Sequence, residues 1–179
     1  MGNPDELTAY LNLLRSKGWT VDEIRPGDHV ELPPEIRGRY PRIPEQYERF
    51  LARVRTCVNA DETTWFLCAE DFHQPASDDS FTWNEFERME LDDGGPRAAD
   101  PAEVRRFWDE HMPFMLSVGG EYQYLGFRVG NDRFGSVVEG YDIDLRDPTD
   151  IAADFDEFMR LHTNALNGDA GNTTLFDYV

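Results

Sequence analysis

The chain predicts a mixed protein in which amphipathic helices accompany an antiparallel meander. Three observations carry that prediction. Apolar stripes at helical spacing recur near the start, middle and end, three of them opened by a proline. Between residues 111 and 147 the pattern changes to short apolar runs separated by Gly119-Gly120 and Gly130-Asn131-Asp132, as in strands joined by tight turns. At 179 residues, 40% of them apolar, the chain can bury one sizeable core.

The first helix is placed by Asn3 as N-cap, Pro4 at the first helical position, and Asp5 and Glu6 at the positive helix end. Leu7, Tyr10, Leu11 and Leu14 make its apolar stripe, and Gly18 stops it. Residues 22–44 are polar and proline-rich and read as a connector. A second helix starts at Pro44 and runs to about Cys57, with Tyr47, Phe50, Leu51, Val54 and Val58 inside. Residues 64–69 read as a buried strand. Residues 82–90 stay open, since Trp83, Phe86 and Met89 have helical spacing in a short segment. After the turn-rich stretch 92–99, Asp100, Pro101 and Glu103 spell out an N-cap, a first-turn proline and a capping partner. That helix buries Val104, Phe107 and Trp108 and ends near His111, because Pro113 cannot continue it. Strands are predicted over 114–118, 122–129 and 134–141, with Gly126 marking a bulge or close approach. A last helix follows Asp147-Pro148-Thr149-Asp150 and buries Ile151, Phe155, Phe158, Met159 and His162. The tail 167–179 is either loose or docked by Phe176 and Tyr178.

Motifs that carry chemistry are missing. There is no phosphate-binding glycine loop, no H-E-x-x-H, no zinc-ribbon spacing and no G-x-S-x-G elbow. Cys57 and Cys68 fit neither a disulfide framework nor a C-x-x-C site and read as reduced, buried thiols. His29, His73, His111 and His162 are dispersed, and His162 reads as a packing histidine. Asp142 and Asp144 alternate with Ile143 and Leu145, so their carboxylates project to one side of an extended segment. A solvated face, a partner contact and a hard-cation site are all open to them. No nucleophile, base and orienting group stand out together, so a non-enzymatic protein without cofactors is expected. No N-terminal apolar region follows a basic start and no apolar run reaches the length of a membrane helix, so a soluble cytoplasmic protein is expected.

Charge gives a direction. Residues 1–58 hold nine acidic and nine basic side chains, while residues 59–179 hold 27 Asp and Glu against 8 Arg, so the net charge of -19 lies entirely in the later part. A surface this acidic repels nucleic acid and anionic membrane and attracts basic protein. Lys17 is the only lysine against 16 arginines, which leaves adaptation to high salt or a compositional bias as an alternative source of the charge. That alternative does not predict a neutral N-terminal third.

Three stretches resemble the SUKH superfamily of Smi/Knr-like proteins. Residues 43–51 (Ile-Pro-Glu-Gln-Tyr-Glu-Arg-Phe-Leu) are similar to the family's proline-started helix. Met112-Pro113-Phe114 and residues 117–127 resemble its strand, glycine-acidic turn and strand. Residues 151–159 resemble its closing helix, with two phenylalanines three apart. The chain departs from the pattern in lacking glycine over 55–61, in Gly119-Gly120 where an aspartate-glycine pair is usual, and in the insertion 71–100. The resemblance implies a single α+β domain, an antiparallel sheet packed by N-terminal, middle and C-terminal helices. It divides the chain into an N-terminal helix and connector (1–42), the Smi/Knr-like domain (43–166) and a tail (167–179).

The resemblance further implies an immunity protein that neutralises a polymorphic toxin, often a nuclease, and the charge agrees: a nuclease needs a basic cleft for phosphate, which an acidic surface can occupy. The partner-binding face is expected around Glu121, Glu139, Asp142 and Asp144, with Asp78, Asp79, Asp92 and Asp93. Tyr122, Tyr124 and Tyr141 are either aromatic anchors for that partner or half-buried sheet residues. The other functions open are a regulatory or scaffold adaptor and a metal-dependent hydrolase built on Asp142 and Asp144.

Overall fold

The computed structural model describes residues 4–74, 81–92, 99–130, 132–141, 146–169 and 174–179. Helix α1 (Pro4–Ser16) ends at Gly18, whose φ of 91° turns the chain into strand β1 (Thr20–Glu23). Helices α2 (Pro34–Arg39) and α3 (Glu45–Arg53) follow the caps Pro33 and Pro44, and α3 passes directly into β2 (Val54–Val58). Next come β3 (Thr64–Phe66), a 3-10 turn at Asp71–His73, α4 (Glu85–Asp92) and α5 (Pro101–Glu110). Strands β4 (His111–Ser117), β5 (Gln123–Arg128), β6 (Val137–Tyr141) and β7 (Thr149–Ala152) then lead to α6 (Phe155–Leu166) and a closing 3-10 helix, Thr174–Tyr178. Among the described residues, seven strands form one sheet in chain order, every neighbouring pair antiparallel. The chain is an α+β protein.

The sheet is larger than the sequence pattern predicts. Strand β1 straddles the start of what reads as connector (22–44) and is not predicted, because only Val21 of its four residues faces the core. Strand β2 reads as the end of a helix because Phe50, Leu51, Val54 and Val58 keep helical spacing; the backbone extends at Val54 (φ −106°, ψ 124°), where β-branched residues begin to alternate. Strand β7 occupies the expected start of the last helix. The true start is a reciprocal cap, in which Asp154 accepts from the Glu157 amide and Glu157 accepts from the Ala153 amide, both at 2.8 Å. Pro113 sits inside β4, at a bulge between Pro113 and Met115, a position that tolerates a residue without an N–H donor. Within α4, Phe86 is buried but Met89 is 37% exposed.

Residues of opposite parity feed two aromatic layers, one on each side of the sheet. Tyr124 faces α4 and α5, its ring 5.8 Å from Phe86 and 4.9 Å from Trp108. Phe127 faces α3 and α6, 5.1 Å from Tyr47 and 5.7 Å from Phe155. Helix α1 joins that second layer through Tyr10, which meets Phe66 and His162. Gly140 has no side chain because the Tyr124 ring lies over it: a Cβ there would stand 2.3 Å from a ring carbon. The same ring approaches Gly126, where a Cβ would lie 3.3 Å away. Both cysteines are free and buried, and burial pushes their thiols up. Among the described residues, no helix is long and apolar enough to cross a membrane.

Candidate partner-binding site

Two turns and the C-terminal 3-10 helix meet at one end of the sheet. In the β2–β3 turn, Asn59 Oδ1 accepts from the amides of Thr63 and Thr64 at 2.9 and 3.0 Å, and Glu62 takes the left-handed φ of 58°. This sets the Thr63 carbonyl to accept from the Val118 amide at 2.8 Å, so the β4–β5 turn lies alongside. Contact is close enough to need glycine: a Cβ on Gly119 would stand 3.0 Å from Thr63 Oγ1 and 3.2 Å from Thr63 Cβ. The third element is anchored from below. Leu175 and Tyr178 are fully buried, and the Tyr178 carbonyl accepts from His162 Nε2 at 3.0 Å. His162 Nδ1 accepts from the Tyr10 hydroxyl at 2.6 Å, which ties the tail to both α6 and α1. Burial holds His162 down at about 4, against the opposing Tyr178 bond, so the ring stays neutral. The docked tail and the packing histidine are one device.

These elements border a solvent-open cavity of about 410 Å³. Thr64, Ser117 and Gln123 form a cross-strand row on β3, β4 and β5 and supply its floor, each under 7% exposed. The hydroxyls of Thr64 and Ser117 lie 3.0 Å apart, and Ser117 Oγ also donates to the Asp177 carbonyl at 3.4 Å. Asp61, Glu121 and Asp177, one from each element, contribute carboxylates to the walls. No lysine or arginine is among the described residues of the lining. Buried Gln123 Oε1 has no hydrogen-bond partner among the described residues.

Elsewhere a number of carboxylates are matched to arginines. Glu23 takes Arg15 and Arg53, Glu48 takes Arg37, Asp28 and Glu70 share Arg55, and Asp150 takes Arg128 and Arg133. In the N-terminal third this pairing covers Glu23, Asp28, Glu45 and Glu48 and leaves Glu6, Asp22 and Glu35 without an arginine partner among the described residues. A wider groove of about 620 Å³ between α1 and α6 is lined by Ala9, Leu13 and Met159 and has its own Arg160. Its Asp154 and Glu157 are committed to the α6 cap. The cavity beside His111 holds Arg128 and Arg133, both committed to Asp150.

The residues expected at the partner face divide. Glu121 lines the cavity. Tyr122 is 37% exposed but turns to the other side of the sheet, its ring 5.6 Å from Phe81. Tyr124 is a sheet-packing residue and Tyr141 is half-buried. Glu139, expected at an exposed acidic edge, is 1% exposed: its place on β6, opposite Leu125 and one row in from Tyr141, points it into the sheet's covered face. Burial pushes its carboxyl up to about 7, opposed by the Tyr141 and Tyr178 hydroxyls and reinforced by Asp177. Neither Glu139 Oε1 nor the Tyr178 hydroxyl reaches hydrogen-bonding geometry with a protein partner among the described residues. Asp92 is exposed at the end of α4. Asp78, Asp79, Asp93, Asp142 and Asp144 lie outside the described residues.

Asp61, Ser117, Gln123 and Asp177 are cavity residues that sequence reasoning did not single out. Asn59, with Thr63 four residues on, was the available signal of a built turn. Among the described residues, no group of three His, Cys, Asp or Glu side chains is placed to hold a metal ion. Comparisons with protein-family models, curated proteins and solved structures find no match for this chain.

Proposed function

We propose that this chain is an immunity protein of the Smi/Knr-like kind, which binds and neutralises a basic toxin, a nuclease domain, without catalysing a reaction. One observation carries the reading. Asp61, Glu121 and Asp177 around the sheet-end cavity have no lysine or arginine among the described residues of its lining, while Glu23, Asp28, Glu45 and Glu48 of the N-terminal third are each paired with arginine. Like charges left together raise the folding cost, and a cationic partner offsets it. Complementary charge also speeds capture, which suits an inhibitor that must act before its target does. The three stretches similar to Smi/Knr-like proteins support the same reading, and the α+β architecture is compatible with it.

The test is co-expression with the toxin encoded beside it. The chain is expected to restore growth and to bind the toxin with nanomolar affinity that weakens as salt rises. Growth arrest that persists despite full expression of the folded chain would refute the reading.

A further inference from the structure

The geometry points to the sheet-end cavity as a receptor for one arginine side chain of the partner, its guanidinium seated between Gln123 and the carboxylates of Asp61, Glu121 and Asp177. The inference rests on the reading of the chain as a toxin-binding protein and deepens it by naming the group that is recognised.

Three features select this ligand. The first is Gln123. Its side chain lines the cavity, is 6% exposed, and leaves Oε1 without a partner among the described residues. An unpaired buried carbonyl oxygen costs about 1–3 kcal/mol, and a donor brought in from outside removes that cost. As placed the oxygen is buried beneath the cavity surface, and turning the carboxamide over, which breaks no side-chain hydrogen bond among the described residues, exchanges oxygen and nitrogen to present the acceptor to an incoming donor. The second feature is sign: carboxylates from three separate elements line the walls, and no lysine or arginine among the described residues of the lining answers them. The third is spacing. Those carboxylates do not converge at metal-ligand distances but are spread around a cavity of about 410 Å³. A metal ion or a compact ammonium satisfies acceptors gathered at a point. A guanidinium presents five donors in a rigid planar fork and can engage several separated acceptors together.

The floor is firm enough to discriminate. Asn59 fixes one turn, Gly119 lets the second close on Thr63, and the His162 and Ser117 bonds hold the tail that carries Asp177.

The experiment titrates the isotope-labelled full chain with N-acetyl-arginine amide, N-acetyl-lysine amide and the uncharged isostere N-acetyl-citrulline amide. Shifts are read at the Gln123 side-chain amide and at the backbone amides of Gly119, Gly120 and Asp177. The arginine derivative is expected to saturate these signals at millimolar concentration, with citrulline at least tenfold weaker and lysine severalfold weaker. Gln123→Leu should weaken arginine about tenfold; should it disturb the fold, the exposed pair Glu121→Gln and Asp177→Asn gives the same test. Equal responses to arginine and citrulline, or arginine shifts unchanged by these variants, would overturn the inference and leave the immunity reading to the rescue assay. Selective arginine binding whose loss leaves toxin rescue intact would overturn the assignment to the partner. Selective binding by a chain that gives no rescue at all would sink the immunity reading and keep the receptor.

Discussion

Replacing Glu139 by glutamine should make the protein more stable at neutral and alkaline pH, an unusual result for removing a charged side chain from an acidic protein. Glu139 is 1% exposed and its carboxyl titrates near 7 instead of 4.5, chiefly because burial disfavours its charge. The folded state therefore holds a proton that the unfolded state has released between those two values. The contribution of Glu139 to stability must fall as pH rises from about 4.5 to about 7 and level off above. At about 1.4 kcal/mol for each pH unit of that interval, the full loss is on the order of 3 kcal/mol. Glutamine keeps the shape and never ionises. Glu139→Gln should match the parent at pH 4.5 and exceed it by about 2–3 kcal/mol at pH 8, a rise in Tm of roughly 5–10 °C. Urea melts at half-unit steps, with m held constant, measure this. Parallel stability curves for the two proteins across pH 4.5–8 would refute the argument, because they would mean that Glu139 ionises as freely folded as unfolded.

Other expectations follow from the same structure. His162 is held near 4 by burial, below its ordinary 6.5, so its contribution is present above 6.5 and lost as pH falls through 4. That slope opposes the Glu139 slope across about pH 4.5–6.5, so the parent should be nearly flat there while His162→Gln declines with rising pH; a flat variant would contradict the assignment. Gly140→Ala should destabilise by about 2–3 kcal/mol, since its methyl meets the buried Tyr124 ring at 2.3 Å, and Tyr124→Leu in the same chain should recover part of that loss.

Where a residue type enforces local geometry, the sequence was readable. Pro44 and the Asp100-Pro101 pair mark true helix starts, and Asp100 accepts from the Ala102 amide at 2.9 Å as an N-cap should. The glycine turn before β5 is also where it was expected. Strands whose burial is decided by tertiary pairing were not. The run Val54 to Val58 satisfies helical and strand spacing equally, and only pairing with β1 and β3 decides between them. The site follows the same rule. Glu121 could be picked out because it sits beside a glycine turn, but Asp61 and Asp177 are more than a hundred residues apart and meet only because the sheet runs in order and the tail folds back under His162. Glu139 was misplaced because alternation tells which residues share a face, not which face a helix covers.

The central claim is that negative charge matters at one place, not merely in total. The direct measurement is toxin affinity for two triple variants of equal charge: Asp61, Glu121 and Asp177 changed to lysine, and the exposed Asp132, Asp147 and Asp169 changed to lysine as control. The account predicts at least a hundredfold loss in the first and a change within about threefold in the second at physiological salt. Equal losses in both would contradict it, since the charge would then act as a diffuse property of the surface and not through a built site.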